Sequence, residues 1–192
     1  MTTALRENLK TETAVVHHAL EKHLSMMNEA FALPEYTRMI ERWAAFHQAF
    51  EKAVAGFPEV AEFYSHRLKT PMLARDLQAL SAQVHPEDEK LVKEFFAGLD
   101  LDAAALWGMC YVIEGSTHGG VFMARHFAKK FNLSPDAGVS YFGNYKEMMG
   151  PNWTGFVAKL EGIPADAVVE AKVIESASRL FTFMHDYLKP SA

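Results

Sequence analysis

The chain has one cysteine, Cys110, so no disulfide can close within it, and a reducing compartment suits it. It has no apolar run near the roughly 20 residues that a bilayer-spanning helix needs, so no membrane partner is expected. The opening MTTALRENLKTET has no apolar stretch of signal-peptide type. An excess of positive charge is lacking too: 19 Lys and Arg face 24 Asp and Glu, a net charge of −5. That balance argues against a nucleic-acid partner held through its phosphates. Strand-like alternation, internal repeats, low-complexity tracts and linkers are all missing. The expectation is one cytoplasmic globular domain over residues 1–192.

What is present is helical periodicity from end to end. A first helix is expected from Thr3 to Leu24, with the stripe Leu5, Leu9, Thr13, Val16, Leu20 and Leu24. Leu33-Pro34 opens a second, which carries Tyr36, Ile40, Trp43, Phe46, Phe50 and Val54 before Gly56 stops it. Shorter helices follow over Pro58 to Leu68, Pro71 to Leu80 behind Thr70 as N-cap, and Pro86 to Phe96. A long helix runs from Asp102 to Phe131, then a loop from Asn132 to Gly138. Ser140 to Leu160 reads as one or two helices broken near Gly150-Pro151. A last helix spans Pro164 to Leu188. The fold class is all-α: a single-domain multi-helix bundle around a shared core.

Two helices carry residues that packing alone does not require. On the long helix, Gly108, Gly115 and Gly119 are seven and four residues apart. At about 100° per residue they fall within about 40° of one another. Each costs roughly 1 kcal/mol relative to alanine in a helix interior. One face has therefore lost its side chains, either for close approach of another helix or for a flat ligand. Tyr111, Ser116, Thr117 and His118 surround that face with polar groups. On the first helix, His17 edges the apolar stripe, Glu21 lies one turn on, and Lys10 lies two turns before on the same side. A carboxylate behind an imidazole orients a metal-ligating ring, and a nearby cation suits an anionic group of the same ligand. A planar, apolar, anionic metal complex such as heme needs an axial ligand, a smooth wall and a basic rim.

At these residues the chain resembles the heme oxygenases. Leu9-Lys10-Thr11-Glu12-Thr13-Ala14-Val15-Val16-His17, followed by Glu21, is similar to that family's proximal helix. The stretch from Tyr111 to Gly120 resembles its glycine-rich distal helix. Tyr141-Phe142-Gly143-Asn144-Tyr145, then Gly150-Pro151-Asn152-Trp153 and Phe156, is similar to the bacterial branch associated with bacteriophytochromes. Val173-Ile174-Glu175, with Ala177, Arg179 and Phe181, resembles the family's last helix. The resemblance spans nearly the whole chain, with its motifs in the family's order.

The resemblance implies heme as both cofactor and substrate, seated between the first helix and the glycine-rich one. It implies dioxygen as co-substrate and biliverdin, carbon monoxide and iron as products. His17 would ligate the iron, with Glu21 holding its other ring nitrogen. Gly115, Ser116 and Gly119 would serve catalysis, letting the distal backbone lie against the porphyrin and anchoring water. Lys10, Tyr111, Arg179 and Gly120 would contact the bound heme. The partners implied are a reductase or ferredoxin as electron donor and a photoreceptor as bilin acceptor.

The sequence also departs from the pattern. Ser116 stands where mammalian-type enzymes have aspartate, and His118 stands where bacterial members usually have leucine. His118 lies about 60° around the helix from Gly115; the rim of the pocket is the favoured place for it, and a distal role, in the water network or as a sixth iron ligand, is the alternative. Two other readings compete: a non-catalytic heme carrier or sensor on the same fold, and a helical di-iron oxidase. The second needs Glu-x-x-His motifs, and the sequence has none.

Overall fold

A computed structural model describes residues 4–24, 26–143 and 145–189. These form eight α-helices in the order α1 (Leu5–Leu24), α2 (Leu33–Val54), α3 (Pro58–Tyr64), α4 (Thr70–Ala79), α5 (Pro86–Ala97), α6 (Ala103–Phe131), α7 (Met149–Glu161) and α8 (Ala167–Tyr187). One 3-10 turn, Lys146–Met148, precedes α7. The described residues contain no strand, only isolated bridges within 134–138. The all-α expectation holds. Thr3 and Asn144 lie outside the described residues.

Several helix ends differ from expectation, each for a local reason. Helix α3 stops at Tyr64 rather than Leu68. The chain must turn there so that the backbone N–H groups of Lys69 and Thr70 can both donate to Glu51 Oε1 of α2, at 2.6 and 3.0 Å. Helix α4 therefore starts at Thr70 and is capped by that distant carboxylate, not by the threonine side chain. Gly150-Pro151 opens α7 instead of breaking a helix, as proline in a first turn permits. Helix α8 begins three residues after Pro164, where Asp166 caps the N–H groups of Val168 and Val169. Asn132, at φ 54°, ends α6 in the left-handed region.

The described residues form two compact units through which α6 runs as one continuous helix. The first comprises 4–24, 100–116 and 147–189. In it α1 packs against α8 and α7. Its core includes Leu9, Leu20, Leu106, Met109, Cys110, Val173, Ala177, Leu180 and Met184, all buried on the stripes that the periodicity marks. Asp102 begins α6 by accepting the Ala105 N–H at 2.9 Å. Lys172 then ties α8 to this end, 2.6 Å from Asp100 and 2.7 Å from Asp102.

The second unit comprises 26–99, 117–143 and 145–146. Helix α2 is its centre, packing against α3, α4 and α5, with Tyr36, Ile40, Phe46, Phe50 and Val54 all buried. Arg38 of α2 and Asp88 of α5 form a partly buried ion pair. Arg38 binds both oxygens of Asp88 on α5 and reaches Glu41 at 3.2 Å. His47 is fully buried, with its Nε2 3.1 Å from the Tyr141 hydroxyl and its ring stacked on Trp43.

Burial holds the His47 imidazole well below its ordinary value, and the charge of Lys69 adds to the effect. The folded chain thus keeps His47 neutral where the unfolded chain takes up a proton, below about 6.5. Stability is full above that pH and falls as the pH drops beneath it, by up to about 1.4 kcal/mol per unit for this residue. His23, also lowered by burial, adds in the same sense. Urea midpoints at pH 7 and pH 5.5 should show a smaller loss for His47→Gln than for the parent. Equal losses would mean that His47 carries none of the acid sensitivity.

Candidate functional site

The first unit brings most of the expected site residues together. On α1, His17 Nε2 lies 3.4 Å from Glu21 Oε1. The neighbouring His18 also reaches this carboxylate, its Nδ1 3.6 Å from Oε2. Glu21 therefore does not serve His17 alone, because i+3 and i+4 both face it across one turn. Burial separates the two rings. The His17 side chain is 50% exposed and the His18 side chain 83%. His17 leans on Phe181 of α8, ring centroids 5.2 Å apart, whereas His18 points outward as the helix phase requires. Lys10 is exposed on the same helix, two turns before His17.

The N-terminal half of α6 supplies a second surface in this unit. Tyr111 is half-buried and hydrogen-bonded to Thr13 of α1, and burial raises its phenol above the ordinary range. Thr13 passes its own hydroxyl hydrogen to the Leu9 carbonyl at 2.7 Å. This polar pair ties α6 to α1 one turn before His17. Its signal in the sequence was a threonine inside an apolar stripe. Tyr111 also faces Trp153 of α7, centroids 6.2 Å apart. Ser116 donates to the Ile113 carbonyl at 2.7 Å, so its hydrogen is committed while its lone pairs still face outward as acceptors. Arg179 on α8 is exposed, with Nη1 3.8 Å from Glu175.

The glycines of α6 divide into two kinds. A Cβ built on Gly108 would stand 2.1 Å from both the Val173 carbonyl oxygen and Ser176 Oγ. Here α6 and α8 meet backbone to backbone, and the glycine serves helix packing. A Cβ on Gly120 would stand 2.4 Å from the Phe142 carbonyl oxygen. Gly120, expected to serve a ligand, is accounted for by this contact within the second unit. Gly115 and Gly119 are different. The nearest atom to a Cβ on Gly115 is Trp153 Cζ3 at 4.0 Å, and a Cβ on Gly119 meets nothing described within 4 Å. Of the row Gly108, Gly115 and Gly119, a Cβ would clash with a described atom at Gly108 alone. His118 is exposed next to Gly119. Among the described residues no helix is long and apolar enough to cross a membrane. Among the described residues no group of three or more His, Cys, Asp or Glu is placed to hold a metal ion.

Heme-free unfolding in urea separates the two kinds of glycine. Gly108→Ala should lose about 1–3 kcal/mol, because the Val173 carbonyl is backbone and cannot swing aside. Gly119→Ala should gain up to about 1 kcal/mol from helix propensity. A loss at Gly119 equal to that at Gly108 would show that both are packing glycines.

The chain was compared with known proteins. A family model described as heme oxygenase matches residues 3–189. A heme oxygenase of Xanthomonas campestris pv. campestris (strain 8004) is 28% identical over 164 residues, covering 79% of this chain and 92% of the relative. Heme oxygenase from Leptospira interrogans superposes with a TM-score of 0.83 at 16% identity, over 97% of this chain and 98% of that one. Heme oxygenase-2 from Synechocystis sp. PCC 6803, solved in complex with heme and NO, gives 0.81 at 16% identity, over 97% and 84%. At these identities the structural likeness establishes the fold, and the family match over nearly the whole length establishes descent. The chain belongs to the heme oxygenase family.

Proposed function

We propose that this chain cleaves heme to biliverdin and releases carbon monoxide and iron, using dioxygen and electrons from a reductase or ferredoxin. The observation that carries the reading is the bare backbone of α6 at Gly115, in the same unit as a carboxylate-backed, half-exposed histidine on α1. The residues present fit heme. His17 would offer one ring nitrogen to Glu21 and the other to the iron of a bound heme. Leaning on Phe181 restricts its ring, and the Glu21 carboxylate helps to orient it. Gly115 offers peptide groups without side chains, which lets a flat apolar molecule touch helix backbone, and Gly119 extends that bare row one turn further along α6.

When bound, heme supplies both the iron redox chemistry that activates dioxygen and the ring that is cleaved. The protein's own share is orientation and water control. Ser116, its hydrogen held by Ile113, accepts a hydrogen bond from water and so fixes the direction in which that water offers its other proton. Lys10 presents an exposed cation to the acid groups of the ligand. Arg179 adds a second once it leaves Glu175. Tyr111 acts through Thr13, holding α6 to α1. His118 stays at the rim. The buried free thiol of Cys110 accords with reaction in the cytoplasm, and a bilin-binding photoreceptor is the acceptor we assign to the product.

The test is anaerobic heme loading of the purified chain, then oxygen and reductant, then pigment extraction. Biliverdin and carbon monoxide are the expected products. His17→Ala should change the ferric spectrum and lower turnover by at least roughly 100-fold, the upper range for losing even an outer partner at a metal site. His18→Ala should leave both near the parent. A stable low-spin spectrum with no bilin would instead identify a heme carrier. Loss in His18→Ala but not in His17→Ala would overturn the ligand assignment.

A further inference from the structure

Asp76, on α4, is completely buried, and its carboxylate is held by backbone groups. Its oxygens accept three backbone N–H groups from one loop. Oδ1 takes those of Gly138 and Ser140, both at 2.8 Å, and Oδ2 takes that of Tyr141, also at 2.8 Å. The Tyr36 hydroxyl donates to the Gly138 carbonyl at 2.6 Å. Burial, with the Asp76 charge second, keeps that phenol protonated well above its ordinary value, so it remains a donor. Gly138 itself has φ 109°, and the Tyr141 hydroxyl meets His47. Connecting segments normally leave their backbone to water. This one is fixed at five points, all within the second unit.

The fixed loop leads directly to α6. Phe142 follows Tyr141, and its carbonyl oxygen is the atom that a Cβ on Gly120 would meet at 2.4 Å. The Phe142 ring packs on Phe127 of the same helix, centroids 5.5 Å apart. The contact at Gly120 is backbone on backbone, with no rotamer to absorb a displacement. Gly119, the open glycine, is the adjacent residue.

We propose that Asp76 is a positioning residue: by clamping loop 138–142 it sets α6 at Gly119–Gly120, and with it the bare backbone presented to heme. This rests on the heme oxygenase reading above. Asp76 touches no reacting atom. It acts through the loop, and the loop acts through Gly120.

The experiment uses the full chain, heme-free and heme-loaded, with three variants. Asp76→Asn keeps the side chain's size, but its amide nitrogen cannot accept an N–H. Tyr36→Phe removes one hydroxyl from the same loop and is the milder change. Val92→Ala opens the α5 core and controls for lost stability elsewhere in the unit. Hydrogen exchange on heme-free protein should speed at amides 138–142 and also at 117–121 in Asp76→Asn, on the order of tenfold. Tyr36→Phe should follow in the same direction by less, and Val92→Ala should leave 117–121 unchanged. In heme-loaded ferrous protein, the carbon monoxide stretching band should shift or split in Asp76→Asn but not in Val92→Ala. Faster exchange confined to 138–142, or an unaltered band, would overturn the proposal. Failure of the parent to take up heme would contradict the heme reading instead, while exchange at 117–121 would still decide whether Asp76 positions α6.

Discussion

Close backbone approach along α6 is the constraint on which the rest of the structure depends. A 29-residue helix spans about 44 Å. At Gly108 its backbone meets that of α8, and at Gly120 it meets the Phe142 carbonyl. Each contact admits no Cβ, so each demands glycine despite the loss of roughly 1 kcal/mol in helix propensity. Between them lie Gly115 and Gly119, where a Cβ would come no closer than 4.0 Å to any described atom. Two glycines are explained by what touches them, and two by what the protein leaves open. The apolar stripe follows the same division. Leu106, Cys110, Ile113 and Phe127 are buried, while Thr117, Val121 and Ala124 between them are only half-covered.

In the first unit α1 packs against α8 and α7. Leu9, Thr13 and Leu20 are buried, which turns Lys10, His17 and Glu21 outward along one edge. Thr13 is the exception in the stripe, and it bonds Tyr111. A hydrophobe there would pack as well but would not join the two helices at a defined height. Phe181 then limits the motion of the His17 ring from the side of α8. Exposed ion pairs such as Arg179 with Glu175 add little to stability.

Periodicity and spacing revealed the helices, their buried stripes and the joint anomaly of His17 with the glycine row, because each is a short-range pattern. Helix ends set by distant groups were not legible. Glu51 caps α4 from 18 and 19 residues away, and nothing near Lys69 or Thr70 in the chain announces it. Asp76 is likewise an ordinary helix aspartate until the loop 62 to 65 residues later is seen to bond it. Spacing put Gly108, Gly115 and Gly119 on one face but could not say which of them a neighbouring helix fills. That distinction is three-dimensional, resting on where Val173 and Ser176 of α8 cross. The pairing of Glu21 with His17 was legible, and its sharing with His18 obeys the same short-range rule, because i+3 faces the carboxylate as i+4 does.

The central claim is that the open stretch of α6 is kept bare for a ligand and not for protein packing. Heme titration of Gly119→Leu, set beside melting of the heme-free variant, tests it most directly. The account predicts a variant that melts no lower than the parent and binds heme at least about tenfold more weakly, roughly 1.4 kcal/mol. A variant that melts well below the parent yet binds heme as tightly would contradict it.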